Sequence, residues 1–496
     1  MEHLPLNGWN DWRTRSSGTG GFVANWNYEE YLKNNRANTI KMYKKIVIVG
    51  AGVAGINAAT KLVDNGYPGK LITIIDKGND PHNRLPEEVM TGMLGAGGWS
   101  DGKLTYHTAI GGQLSKYCGE EKAMELMKQV VDNFTRFHPH PEEISLSNPV
   151  EEPEFIKPYF GLRLFPVWHI GSNYLHEIAV NWYQYLVDKG VDFHWGTEIV
   201  KIDFDNDGDP LFTGGTCYGK WIDENGEHYD THHYDNLIFA VGKSGIDFGK
   251  QLAEDYKLET EPKSVQIGVR FEAPQKYFQK LIDISYDFKL YQKYENVSLR
   301  SFCTNNNAAY VAVEETYGDV TYNGHAKKGE QFRNDMTNFG ILMEIKGIED
   351  PFEWSRNVVK KCQALDVEKN ENIGLYYSPS RTPSKTSEGN IINAFHYTYL
   401  DSFKEIFGEY ADYILNFIDD MKKVFEFGDD WGMYIPEVKY LSPEPLVDYK
   451  NLALIDYPNV HFVGDALSAR GITVSGAHGI YCSEHILRES GIFITK

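Results

Sequence analysis

Three glycines in the run Lys45-Ile-Val-Ile-Val49-Gly50-Ala-Gly52-Val-Ala54-Gly55 have the spacing that lets bare backbone amides approach a phosphate group. The residues before them read as a buried strand, and INAATKLVDNG after them has the apolar spacing of a helix that Gly66 ends. In that setting Gly50 permits a tight turn and Gly52 admits a pyrophosphate against the backbone, while Gly55, with Ala54 in the same turn, lets helix pack close on strand. The first helix amides then point at the phosphates. Asp76 closes the next apolar strand, Leu71 to Ile75, and stands 21 positions after Gly55 with Lys77 beside it. A carboxylate there accepts hydrogen bonds from an adenosine ribose. The chemistry implied is dinucleotide binding; the alternative is a glycine-rich turn that holds no ligand.

Both FAD and NAD use this fingerprint, and the far end of the chain discriminates between them. Val460-His-Phe-Val-Gly464-Asp465-Ala466, followed by Gly471-Ile-Thr473-Val474-Ser-Gly476, resembles the C-terminal FAD motif of two-domain flavoproteins. That resemblance implies Asp465 on the ribityl chain and helix-start amides at Thr473 and Val474 on the flavin pyrimidine edge, where they stabilise negative charge; the alternative for Asp465 is an ordinary turn residue. Ile238-Phe-Ala240-Val241-Gly242 resembles the ATG motif of the same proteins, with Val241 in the place of Thr.

Further blocks are similar to a poorly characterised bacterial family of FAD-dependent dehydrogenases. They are Gly95-Ala-Gly97-Gly98-Trp99-Ser100-Asp101-Gly102-Lys103-Leu104-Thr105, Pro166-Val-Trp168-His169-Ile-Gly171, Gln266-Ile-Gly268-Val-Arg270-Phe-Glu272, Arg300-Ser-Phe-Cys303 and Asn323-Gly324. Trp168 stands where that family has Arg, and Thr304-Asn305-Asn306-Asn307 replaces a Cys-Pro-Gly-Gly continuation. The resemblance implies that Ser100, Asp101 and Gly102 run close to the isoalloxazine, that Val200 and Gly242 also contact the cofactor, and that Lys103 sets a cation near flavin N5 or a water beside it; the alternative for Lys103 is a solvent-facing loop lysine.

His169 lies in an apolar run, where an imidazole either exchanges a proton with substrate or is a hydrogen-bonded structural group. Arg270 and Arg300 alternate with apolar neighbours on expected strands, so each faces a cavity and grips a substrate carboxylate or forms an internal ion pair. Cys303 reads as an inert thiol more readily than as a redox group. His138 and His140, and His232 with His233, read as solvated loops, and no metal site is expected.

These residues need elements to hold them. The chain predicts an α/β plus α+β molecule: a discontinuous Rossmann-type FAD-binding domain, and a second, substrate domain built on an antiparallel sheet and helices. An N-terminal extension would occupy 1–42, the FAD domain 43–115, 165–255 and 446–496, a substrate or cap segment 116–164, and the substrate domain 256–445. The alternating segments SVQIGVRFEA, NVSLRSFC, AAYVAVEETYGDV and FGILMEIKG supply the antiparallel sheet, and Asp401 to Phe427 is expected to be mainly helical.

With 496 residues, 42% of them hydrophobic and 24% charged, the chain has globular composition and is long enough for two joined domains. A formal charge of -21 opposes binding to a nucleic-acid backbone. Five dispersed cysteines suggest neither a disulfide scaffold nor a local redox pair. No apolar run approaches a membrane span, and the start MEHLPLNGWNDW lacks a secretory core, so a cytoplasmic location is expected. The leading expectation is an FAD-dependent dehydrogenase or oxidase that takes a hydride from a small C–H donor such as an amine or amino acid, with NAD(P)H or dioxygen as a possible second substrate. The alternatives are an NAD(P)H-dependent reductase or monooxygenase and a non-catalytic flavin-binding protein.

Overall fold

The computed structural model describes residues 43–85, 88–149, 152–205, 214–261, 265–316, 319–364, 374–380, 395–397, 400–439, 444–492 and 494. The extension expected at 1–42 lies outside the described residues. Ile46–Val49 is buried along its whole length, as a β-branched strand covered on both faces must be. It pairs in parallel with Ile72–Ile75 on one side and Asn236–Phe239 on the other. Asp192–His194 and Val460–Phe462 extend this sheet at its two edges, again in parallel. The result is a five-stranded, all-parallel sheet assembled from segments far apart in the chain, as expected for a Rossmann-type domain.

The helix Val53–Asp64 follows the first strand and packs against the last helix, Ile472–Glu489. Glu120–Phe137, expected in a cap segment, belongs instead to the core beneath this sheet. Its apolar residues Ala123, Leu126, Met127, Val130, Val131, Phe134 and Phe137 form one helical stripe. A Cβ on Gly476 would lie 2.8 Å from Val130, which shows how closely that stripe meets the last helix.

A second core forms on an eight-stranded, predominantly antiparallel sheet whose central strands are Gly432–Lys439, Val265–Pro274, Met336–Ile345 and Val297–Asn305. Alternation decides its two faces. Ile267, Val269, Phe271, Phe339, Ile341 and Met343 meet the helices Pro351–Ala364, Leu400–Phe407 and Ala411–Phe425. Gln266, Arg270, Glu272, Arg300, Glu437 and Lys439, at the alternate positions, make up the opposite, polar face. A three-stranded antiparallel sheet, Glu198–Asp203, Gly215–Asp223 and Gly226–Tyr234, accompanies the parallel sheet. Among the described residues no helix is long and apolar enough to cross a membrane.

Candidate functional site

Gly50, Asp76, Val241-Gly242 and Gly464-Asp465 each follow the C-terminal end of one of four adjacent parallel strands. In open parallel sheets this edge, where the strand order reverses direction, is where ligands bind. The three glycines there differ in what excludes a side chain. Gly50 has φ +106°, and a Cβ on it would lie 2.4 Å from the Ala240 carbonyl oxygen. A Cβ on Gly55 would lie 2.2 Å from the Gly50 oxygen and 2.9 Å from Ile48 Cγ2, so it is bare for helix-on-strand packing. Around Gly52 the nearest atom would be 3.8 Å away, which is ordinary contact. Nothing in the described chain requires glycine at 52. Ala54 contacts the last helix: a Cβ on Gly479 would lie 2.0 Å from its carbonyl oxygen, and one on Gly464 2.9 Å from its Cβ.

Asp76 braces this loop. Its carboxylate accepts from the amides of Ala51 (2.8 Å), Gly78 (2.8 Å) and Gly92 (2.7 Å). With about four lone-pair sites on a carboxylate, room remains for one further donor such as a ribose hydroxyl. The Gly92 amide is in turn presented by a loop pinned by Arg84, whose guanidinium donates to the carbonyls of Glu88, Val89, Met93 and Gly95. Sequence reasoning missed Arg84, because backbone acceptors leave no pattern in the sequence. Lys77 Nζ donates to the Ser244 carbonyl at 3.2 Å and lies 4.0 Å from Glu198. Val200 sits at a register shift on the strand Glu198–Asp203 with its side chain exposed. Gly242, at φ +63°, has no atom within 4 Å of the position a Cβ would take.

At the opposite side of the same edge Asp465, largely but not wholly covered, lies 3.1 Å from Arg470. Burial raises the Asp465 carboxyl above its ordinary range, although Arg470 pulls the other way. Asp465 Oδ1 and all three guanidinium nitrogens of Arg470 are buried without a hydrogen-bond partner among the described residues. Orphaned polar atoms of this kind are costly unless a ligand or water completes them. Thr473 and Val474 are buried in the first turn of the last helix, where the Thr473 hydroxyl donates to the Thr105 carbonyl at 2.5 Å. The orphaned pair, the open space at Gly52 and the helix start at Gly471 therefore fit a dinucleotide stretched along this edge.

Beside it lies a dense polar cluster. Lys103 is buried; its Nζ sits 2.9 Å from Asp101 Oδ2 and donates to the Thr304 carbonyl at 2.5 Å. Desolvation opposes its charge, but Asp101 and Asp287 more than offset this and hold the ammonium above its usual range. Asp287 is itself bound by Lys289 (2.7 Å) and by the Thr304 amide (3.0 Å). Burial opposes its charge, yet Lys103 and Lys289 bring it down to about 2. His169 Nε2 lies 3.0 Å from the Asp101 carbonyl, a geometry in which that nitrogen carries the proton and donates. Its ring stacks on Tyr286 at 4.7 Å. Desolvation, with Lys328 adding to it, lowers His169 to about 3, so the ring is neutral near pH 7. Tyr286 Oη is buried without a hydrogen-bond partner among the described residues. Ser100 and Gly102 shape the segment: the Ser100 hydroxyl donates to the Gly97 carbonyl, and a Cβ on Gly102 would lie 2.9 Å from the Gly171 backbone.

The two candidate arginines part company. Arg270 is fully buried, 3.3 Å from Glu437, and donates to the Phe302 and Cys303 carbonyls. It takes the internal ion pair. Arg300 donates to Gln266 at 2.8 Å and lies 5.3 Å from the Phe302 ring centroid, which Lys289 and Lys439 each approach at 5.1 Å. Three cations thus surround one aromatic ring on the polar face. Cys303 is a thiol rather than a thiolate, since burial raises it. Two histidine readings need correction. His138 is buried, with Nε2 on the Ile170 carbonyl, and His232 is buried on the strand Gly226–Tyr234; neither is in a solvated loop.

No family model matches the chain, and no curated protein matches it. Solved structures resembling it include a flavoprotein/dehydrogenase from Cytophaga hutchinsonii, at 10% identity and a TM-score of 0.41, with 91% of this chain and 80% of that one covered. A glycine oxidase from Geobacillus kaustophilus has 12% identity and a TM-score of 0.38, with 90% of this chain and 95% of that one covered. The flavin-dependent halogenase CmlS has 11% identity and a TM-score of 0.39; 90% of this chain matches it but only 57% of the halogenase is spanned.

Proposed function

We propose that this chain is an FAD-dependent oxidoreductase that removes a hydride from a small carboxylate-bearing C–H donor, an amino acid in the leading case. The observation that supports it most is the Asp465–Arg470 pair with its buried, unmatched polar atoms, set at the same sheet edge as the glycine loop. FAD, when bound, supplies the hydride acceptor. The loop from Gly50 to Gly55 holds the pyrophosphate on backbone amides, Asp76 faces the adenosine ribose and Asp465 accepts from the ribityl chain. Thr473 and Val474 present helix-start amides to the ring. In this reading residues 43–115, 165–255 and 446–496 make the cofactor domain and 256–445 the substrate domain.

Lys103 stays protonated and positions positive charge beside the reacting centre, which rules it out as a base near neutral pH. His169, neutral and donating to Asp101, fixes the Ser100–Lys103 segment. Arg300, bonded to the neutral Gln266 beside the Phe302 ring, is the group that would grip an anionic substrate, while Lys289 and Lys439 about the same ring are paired with Asp287 and Glu437. A guanidinium in that position supports a carboxylate donor over a simple amine.

An absorbance spectrum of the purified protein tests the cofactor, and anaerobic addition of amino acids, amines, hydroxy acids and NADPH tests the reaction. The expected result is an oxidised-flavin spectrum bleached by amino acids, recovering when dioxygen is admitted, with Arg300→Gln raising the donor concentration needed. Absence of flavin bands after reconstitution with FAD would overturn the proposal. Bleaching by NADPH alone would move the protein to a reductase or monooxygenase, and no bleaching by any donor to a flavin-binding role.

A further inference from the structure

At the edge of the parallel sheet farthest from Asp465, three side chains from two different sheets converge. His194 comes from the edge strand Asp192–His194; Asp230 and His232 come from Gly226–Tyr234 of the neighbouring antiparallel sheet. One ligand atom from each of the three lies within 4.8 Å of the others. His232 Nε2 is 3.0 Å from Asp230 Oδ2, and His194 Nδ1 is 3.8 Å from the same carboxylate oxygen. In a tetrahedral zinc site with bonds of about 2.0–2.2 Å, ligand atoms stand about 3.3–3.6 Å apart, between these two separations.

Further observations mark the cluster as more than a surface ion pair. The His232 side chain is 8% exposed, and the contact to Asp230 misses hydrogen-bond geometry. His232 Nε2 and Asp230 Oδ1 are both buried without a hydrogen-bond partner among the described residues. Gly219 faces Asp230 across the strand pair, and a Cβ there would lie 2.3 Å from Asp230 Oδ1, so its absence keeps room for the carboxylate. Asp192 Oδ2 sits 3.0 Å from His194 Nε2. That contact holds the proton on Nε2 and turns Nδ1, with its free lone pair, toward Asp230 and His232. A carboxylate behind a histidine is the usual arrangement for fixing the tautomer of a metal ligand.

We propose that His194, Asp230 and His232 form a zinc site that clamps the antiparallel sheet to the edge of the parallel sheet, with Asp192 orienting the His194 ring. Two imidazoles and one carboxylate suit zinc, and the partial exposure of His194 and Asp230 admits water as the fourth ligand. The site adjoins the expected adenosine end of the cofactor, because the Asp76 amide donates to the His194 carbonyl at 2.9 Å. Its role is to brace that edge.

Full-length protein stripped with EDTA and titrated with Zn2+ against a chromogenic chelator tests this without reference to flavin. One zinc per chain is expected, and Co2+ in its place should give the intense visible bands of a four-coordinate ion. Asp230→Asn and His232→Gln should each weaken binding at least about tenfold, and Asp192→Ala should weaken it less, by loosening the ring rather than removing a ligand. Zn2+ should raise the Tm of the unaltered protein and leave that of Asp230→Asn unchanged. His194→Gln, at a part-exposed sheet edge, serves as the ligand variant if the Asp230 and His232 variants fail to fold. Substoichiometric zinc on the stripped protein, or undiminished binding by the His194→Gln or Asp230→Asn variants, would overturn the proposal.

Discussion

Gly52 and Gly55 belong to one motif, yet the structure gives their missing side chains different reasons. A Cβ at 55 would meet backbone at 2.2 Å, whereas one at 52 would meet only the Ala240 oxygen at 3.8 Å. Gly55→Ala is therefore expected to lower Tm sharply or prevent folding, since overpacking against backbone costs about 1–3 kcal/mol or more. Gly52→Val should keep the Tm of the cofactor-free protein and lose FAD, because its side chain enters the space kept for the pyrophosphate. Thermal unfolding and flavin content, measured on both variants, separate the two cases; full FAD occupancy in Gly52→Val would remove the phosphate role from this loop. Asp465→Asn probes the other end of the site. It retains shape but removes the charge from a carboxylate whose Oδ1 has no hydrogen-bond partner among the described residues. FAD affinity should fall by about 1–3 kcal/mol, or roughly 5- to 150-fold, and an unchanged Kd would detach Asp465 from the cofactor.

The contact between Val53–Asp64 and Ile472–Glu489 joins the two ends of the cofactor site. It is close because Gly479 has no side chain: a Cβ there would lie 2.0 Å from the Ala54 carbonyl oxygen, a backbone atom in the first turn beyond the glycine loop. Gly479→Ala should thus push the first helix away, lowering Tm and weakening FAD together, by about 1–3 kcal/mol in stability. A fall in Tm with undisturbed FAD affinity would show that the crossing carries stability alone. The sequence made this pair of elements legible for the same reason. Phosphate-facing turns and helix starts depend on backbone exposure, so they are written as local glycine spacing. The polar cluster is not local: Lys103 reaches the Thr304 carbonyl 201 residues away, and Tyr286, Asp287 and Lys289 belong to none of the motifs quoted from the sequence. His194 and His232 come from different sheets, so no spacing announces them. The apolar stripe on Glu120–Phe137 carries no mark of the surface it will cover, since an amphipathic helix does not name its partner, and a cap was expected where the core of the parallel sheet is found.

At the scale of the molecule, three buried histidines among the described residues couple folding to pH in one direction. Desolvation is the largest cause for each, bringing His169 and His478 to about 3 and His461 to about 4. In the unfolded chain an imidazole titrates near about 6.5. Between the unfolded and folded values the unfolded state binds more protons, so stability is fully present above about pH 6.5 and is lost as pH falls toward 4. Each histidine contributes a slope approaching about 1.4 kcal/mol per pH unit, and three together roughly 4, against a typical total of about 5–15 kcal/mol. Two groups act in the opposite sense: His194 is raised by Asp192, and Asp465 is raised by burial. They are fewer, and His194 is partly solvated, so the net slope keeps its sign. Tm should be nearly level above pH 7 and drop steeply between pH 6.5 and 4, as differential scanning fluorimetry can read. His478 isolates one contribution, because both ring nitrogens are buried without partners among the described residues. His478→Leu replaces a costly buried imidazole with an apolar group of similar size, so it should hold or raise Tm at pH 7 and reduce the acid slope by about one third. An unaltered slope in that variant would mean that His478 is not the neutral, desolvated group its surroundings make it.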